Sequence, residues 1–149
     1  MDVKKEDWRS DGGFVSLLTQ VHKAFNRRTG DDVLGMRFKL YMTLGYIRDH
    51  PGTTQQELES AMFIDANSVV LILNELEAAQ YSIRRRDPND RRRHIVEITA
   101  AGRRALDRAD KARESLEDEV LRDLSAEERN TLRQLLTRVL QGLYSEARI

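Results

Sequence analysis

The residues best equipped for chemistry are six arginines within ten positions, RRRDPNDRRR, from Arg84 to Arg93. Subtracting Asp87 and Asp90 leaves a local charge of +4, in a chain whose formal net charge is zero. Guanidinium groups do not exchange protons near neutral pH; they donate hydrogen bonds in a rigid fork that matches phosphate oxygens and base edges. Concentrated on a narrow tip, such charge suits the minor groove of double-stranded DNA, while arginines nearer the body would reach flanking phosphates. A run of arginines by itself is commonly just solvated surface, so this reading depends on flanking sequence that gives the run a fixed shape.

Other chemistries find little support. The chain has no cysteine, which excludes disulfides, thiolate zinc sites and cysteine-based redox sensing. His22, His50 and His94 lie far apart, and their spacing suggests no metal site. No Ser/His/Asp constellation, Gly-rich phosphate loop or H-E-x-x-H is present, so an enzyme is not expected and no cofactor is implied. No apolar run approaches the roughly 18 to 20 residues of a membrane span, and MDVKKEDWRSDGG lacks the apolar stretch of a signal peptide. A cytoplasmic protein with no membrane partner is the expectation.

At 149 residues the length fits one domain. Phe14, Leu17, Leu18, Val21 and Phe25 predict a helix over about 11–28 that ends at Thr29-Gly30-Asp31-Asp32. Leu34, Phe38, Tyr41, Leu44 and Ile47 predict a second over about 34–49, stopped by Pro51-Gly52. Thr54-Gln55-Gln56-Glu57 has the form of a capping box and opens a short third helix. Asp65 can cap a fourth, carrying Val69, Ile72, Leu73 and Leu76 up to about Ala79. The close spacing of these two helices predicts a helix-turn-helix corner.

The apolar period then changes to two, predicting strands at Ser82–Arg86 and His94–Ile98 joined by a type I turn at Asp87-Pro88-Asn89-Asp90. The arginine run is thereby a hairpin, within which Asp90 is expected to orient Arg92. Thr99 should cap a fifth helix, with Gly102 admitting another backbone and a narrow apolar stripe running to about Arg122. Ser125-Ala126-Glu127-Glu128 opens a sixth helix carrying Leu132, Leu135, Leu136, Val139, Leu140, Leu143 and Tyr144. The expected fold is mainly α with a small β-hairpin: a winged helix-turn-helix with terminal dimerisation helices. The DNA-binding lobe spans about 52–99 and the dimerisation helices about 11–28 and 100–147, whose apolar surface predicts a homodimer.

The stretch DPNDRRRHIVEITAAG resembles the wing and the start of the following helix of the MarR family of bacterial transcription regulators, and HPGTTQQEL and NELEAAQ resemble that family's third-helix opening and the end of its recognition helix. The resemblance implies a homodimeric repressor on a palindromic operator, released by a small, commonly aromatic or phenolic ligand. It makes Arg92 the minor-groove arginine, Asp90 its partner and about Asp65–Ala79 the recognition helix; the charge of the hairpin itself adds Arg84, Arg86 and Arg91 as DNA contacts. His22, Tyr41 and Tyr46 lie on helices that border ligand pockets in the family.

The chain departs from the family pattern in three places. Gln80 stands where a glycine usually ends the recognition helix, and Ser82 where an apolar residue is common. Val70-Leu71 replaces a Thr-Arg or Ser-Arg pair, so the recognition helix has neither lysine nor arginine. Base reading then falls to Asn67, Ser68 and Asn74, with Val70 or Leu71 against thymine methyl groups; asparagine pairing with adenine would favour A·T. The competing expectation is an architectural DNA-binding protein with little sequence preference and no effector.

Overall fold

A computed structural model of the chain describes residues 10–29 and 33–147, with side chains as far as Ser145. A short 3-10 turn at Ser10–Gly12 leads into α1 (Gly13–Thr29), followed by α2 (Phe38–Asp49), α3 (Gln55–Met62) and α4 (Ala66–Ala78). The hairpin β1 (Ser82–Asp87) and β2 (Asp90–Ile98) follows, then α5 (Ala100–Val120) and α6 (Ala126–Ala147). Gly30 to Asp32, the expected end of the first helix, lie outside the described residues. The chain divides into two compact units, Met1–Arg113 and Glu114–Ile149, with the division inside α5.

Local sequence chemistry sets most element boundaries. At α3, Thr54 Oγ1 accepts from the Glu57 N–H at 3.2 Å and the Glu57 carboxylate accepts from the Thr54 N–H at 3.2 Å, closing a capping box. Asp65 caps α4 by accepting the Ser68 N–H at 2.7 Å, and this hydrogen bonding holds its carboxyl below the usual range. A second capping box at Ser125 and Glu128 starts α6. The second helix begins at Phe38 rather than near residue 34: Gly35 at φ +74 turns the chain, and Leu34 packs against the core from outside the helix.

The first unit is built around Leu44, Leu58, Val69, Leu73, Leu76, Val96 and Leu106, each at most 1% exposed. At about 1.5–3 kcal/mol per buried side chain of this size, this set fixes the relative positions of α2, α3, α4, the hairpin and the start of α5. In the second unit, Leu116 is buried, whereas Leu135, Leu136, Val139, Leu140 and Leu143 along α6 are 40–58% exposed. Phe14, Leu17, Leu18 and Val21 of α1 are likewise 44–63% exposed, and α1 has no buried residue.

The junction from α4 into the hairpin is the tightest part of the chain. The Gln80 N–H donates to Glu77 O at 2.9 Å and the Tyr81 N–H to Leu76 O at 2.8 Å, a Schellman ending with Gln80 in the left-handed conformation at φ 64. Gln80 therefore takes the backbone geometry of the glycine it replaces. Ser82 is buried, and its hydroxyl has no hydrogen-bond partner among the described residues. Thr99 Oγ1 accepts the Gly102 N–H at 2.9 Å, and a Cβ at Gly102 would overlap the carbonyl oxygen of Tyr81. That close approach is what the glycine permits.

Candidate nucleic-acid interface

The hairpin is longer and better anchored than its apolar pattern indicates. Its strands pair in register from Ser82↔Ile98 to Arg86↔His94, and an irregularity brings Asp87 opposite Asp90, leaving Pro88-Asn89 as a two-residue tip. Every arginine of the run therefore lies on a strand. At the tip the Asp87 carboxylate accepts the Asn89 N–H at 2.9 Å. Near its base β2 also bonds the segment before α3: the Val96 N–H donates to Thr53 O at 3.0 Å, and Thr54 bridges to Ile95. This short third pairing ties the hairpin to the helix-turn-helix, and its polar Thr-Thr sequence carries no strand pattern that could reveal it.

The six arginines divide into two groups. Arg84 points into the lobe, donating from Nε to Glu77 Oε1 at 2.6 Å and from Nη2 to Glu77 Oε2 at 3.0 Å and Asn74 Oδ1 at 2.7 Å. Arg85 is held across the strands by Glu97 at 2.7 Å, and Arg93 lies 3.6 Å from Asp90. Arg86, Arg91 and Arg92 are exposed and make no side-chain ion pair or hydrogen bond among the described residues. The expectation that Asp90 orients the Arg92 side chain is corrected. Its carboxylate faces Arg93 and accepts the backbone N–H of Arg92 at 3.0 Å, fixing the strand that carries Arg92 instead of its guanidinium. Arg84, expected to reach phosphates, is already bound to α4.

On α4, Val69, Ile72, Leu73 and Leu76 face the core. Asn67, Leu71 and Asn74 follow one another at i, i+4 and i+7 on the outward side, all exposed, with Ser68 and Val70 half-buried beside them. The two acids farther along the helix are matched by arginines from other elements: Glu77 by Arg84, and Glu75 by Arg37, whose Nε donates at 3.2 Å. Across the hairpin's other flank, Arg92, Arg93 and His94 line a cleft with Gln55 and Gln56 of the first turn of α3 and with Glu59. Gln55, Gln56, Arg93 and His94 were not among the expected contacts. The capping box that places the start of α3 is the signal that could have found the two glutamines.

The expected effector residues have separate partners. His22 Nε2 lies 3.1 Å from Asn26 Nδ2 on α1, and Tyr46 stacks on His50 with ring centroids 3.8 Å apart. The Tyr41 hydroxyl donates to Asp110 at 2.5 Å and accepts from Arg113 Nε at 2.8 Å. Arg48 completes this cluster, donating to Asp110 at 2.8 Å. Burial raises the Tyr41 pKa, as does its bond to Asp110. Burial also pushes the Asp110 carboxyl up, but hydrogen bonds from Tyr41 and Arg48 and the charges of Arg48 and Arg113 prevail and hold it below its usual value. Among the described residues, no group of three or more histidines and carboxylates could hold a metal, and no helix is long and apolar enough to cross a membrane.

Two short helices meeting at a tight turn, with a pinned basic hairpin beside the second, define a winged helix-turn-helix of the DNA-binding regulator class. Residues 34–93 match the MarR family model. The chain is 36% identical over 112 residues to a putative transcriptional regulatory protein for the hcr operon of Thauera aromatica, covering 75% of this chain and 68% of that protein. It is 31% identical to the transcriptional regulator HosA of Escherichia coli O111:H-, covering 84% and 93%. The crystal structure of a mutant MarR from E. coli, complexed with operator DNA, superposes with a TM-score of 0.73 at 25% identity, covering 83% of this chain and 91% of that one. The chain belongs to the MarR family, whose members here are transcriptional regulators and not enzymes.

Proposed function

We propose that this regulator is a cytoplasmic homodimeric repressor that binds a palindromic operator and is released by a small aromatic or phenolic ligand. Each protomer directs Asn67, Ser68, Val70, Leu71 and Asn74 of α4 at base edges in the major groove. Arg92 enters the adjacent minor groove, Arg86 and Arg91 meet phosphates, and Asp90 fixes the strand beneath them. Arg84 acts from behind α4. The observation that carries this reading is the presence of three uncommitted guanidiniums on an anchored hairpin next to the outward stripe of α4. The operator complex of the similar MarR protein supports DNA as the partner. The exposed apolar stripes of α1 and α6 support the dimer, because contiguous apolar surface of this kind is normally covered. Release by a ligand, with His22, Tyr41 and Tyr46 on helices near its site, rests on the family resemblance.

The absence of lysine and arginine from α4 favours a second reading, an architectural binder with little sequence preference. Selection of bound fragments from random duplex DNA at two salt concentrations separates the two. The proposed function predicts a recurrent palindrome with half-sites about one helical turn apart. Equal affinity for selected and random duplex at matched salt would instead establish the architectural reading.

A further inference from the structure

Asn74 and Arg84 together form a feature that the family reading does not contain. Asn74 is exposed on the outward stripe of α4, one turn beyond Leu71, yet its amide is not free to turn. Arg84 Nη2 lies 2.7 Å from Asn74 Oδ1, while the same guanidinium is gripped by both carboxylate oxygens of Glu77 at 2.6 and 3.0 Å. A guanidinium has only donors, so the amide end facing it must be the oxygen. The bond is charge-assisted, and the arginine that makes it comes from a strand paired in register with β2. Asn74 Nδ2 has no partner among the described residues.

We propose that Arg84 is a specificity-positioning residue: by holding the oxygen of Asn74, it leaves the asparagine to meet DNA as a hydrogen-bond donor. An unrestrained asparagine reads adenine by accepting from N6 and donating to N7. The oxygen keeps a second lone pair, but the amide is fixed with Oδ1 held toward Arg84 and Nδ2 unpaired, so Asn74 is poorly placed to accept from adenine N6 and favours edges that offer acceptors, namely guanine O6 and N7 or thymine O4. The base preference expected from asparagine alone is thus reversed at this position. Glu77 holds the positioner in turn, so an acid on a DNA-facing helix serves recognition indirectly.

The inference rests on the proposed function, in that α4 must face base edges, and one experiment separates the two. The selected operator is synthesised with all four base pairs at each position of both half-sites, and affinities are measured for the full-length wild type, Asn74→Ala, Arg84→Ala and Arg84→Lys. Asn74→Ala, an exposed change, identifies the position it reads by losing discrimination there. At that position the wild type should bind guanine or thymine about tenfold more tightly than adenine. Arg84→Ala should shrink that gap to within about threefold, and Arg84→Lys, which keeps a cationic donor, should restore part of it. Thermal unfolding of Arg84→Ala confirms that the fold is intact. Adenine preference in the wild type overturns the inference whatever the variants do, as does unaltered discrimination in Asn74→Ala or an unaltered base ranking in folded Arg84→Ala. Wild-type binding without any base preference overturns the proposed function as well.

Discussion

Replacing Arg92 with alanine tests the division of the wing arginines most directly. The Arg92 side chain is exposed and makes no ion pair among the described residues, whereas Arg85, also on the hairpin, is held by Glu97 at 2.7 Å. Each phosphate neutralised contributes about 0.9 to the slope of log K against log salt for duplex DNA. A guanidinium in the strongly negative minor groove displaces condensed counterions much as one at a phosphate does, so with two wings in the proposed dimer Arg92→Ala should flatten the slope by about 1.8. Over a fourfold rise in salt, from about 50 to 200 mM, wild-type affinity should therefore fall about twelvefold more than that of the variant. At fixed salt the substitution should weaken operator binding by about 1 to 3 kcal/mol. Arg85→Ala, which removes a cation already paired, should change the slope by less than about 0.5. Fluorescence anisotropy with labelled operator across a salt series reads both effects. An equal flattening in the two variants would refute the reasoning, because it would mean that pairing within the hairpin does not withhold an arginine from DNA.

Four further expectations concern the frame that carries the wing. Gln80→Gly should stabilise the fold by about 0.5 to 1 kcal/mol in urea unfolding, since relief of the left-handed strain exceeds the added freedom of the unfolded chain; lower stability would contradict this. Ser82→Ala removes a buried hydroxyl without a partner among the described residues and should stabilise by about 1 kcal/mol, whereas a destabilised variant would show that the hydroxyl is hydrogen-bonded in solution. Asp110 has a folded pKa below its unfolded value, so its contribution is fully present above the unfolded pKa and is lost as pH falls through the folded one. Asp110→Asn should therefore lower stability at neutral pH and weaken the pH dependence of unfolding below about pH 4, and an unaltered acid profile would count against the cluster. Leu136→Glu places a charge in the exposed α6 stripe and should produce monomers in sedimentation; an unchanged dimer mass would remove α6 from the interface.

Features that depend on neighbours within three or four residues were legible in the sequence. Both capping boxes, the Asp65 cap and the Thr99 cap follow from residue types at fixed offsets, and the structure contains each of them. Features that depend on partners across the fold were not. The helical period at Leu34 is genuine, but a left-handed Gly35 detaches it from α2. The second strand runs back through Arg91–Arg93 to Asp90, farther than apolar alternation could show, because the hairpin closes across a register irregularity at Asp87 and Asp90. Nothing local indicates that Arg84 belongs to Glu77, seven residues earlier, or Arg85 to Glu97, twelve residues later. The base-facing candidates on α4 could be named from helical spacing; the state of the Asn74 amide could not, since a strand residue sets it.

The same pairings explain how a chain of zero net charge can present a cationic tip. Glu75, Glu77, Glu97 and Asp90 take Arg37, Arg84, Arg85 and Arg93 respectively, each pair joining different elements or different strand positions. Exposed pairs of this kind contribute only about 0 to 1 kcal/mol each to stability, so their main consequence is spatial. They cancel charge along α4 and the body of the hairpin while Arg86, Arg91 and Arg92 keep theirs. A helix that would otherwise repel DNA through two glutamates becomes electrostatically quiet, and the attraction is displaced onto the wing. Removing Glu77 should therefore do more than add positive charge: it frees Arg84 from its anchor, so any gain in nonspecific affinity should be accompanied by poorer discrimination at the Asn74 position.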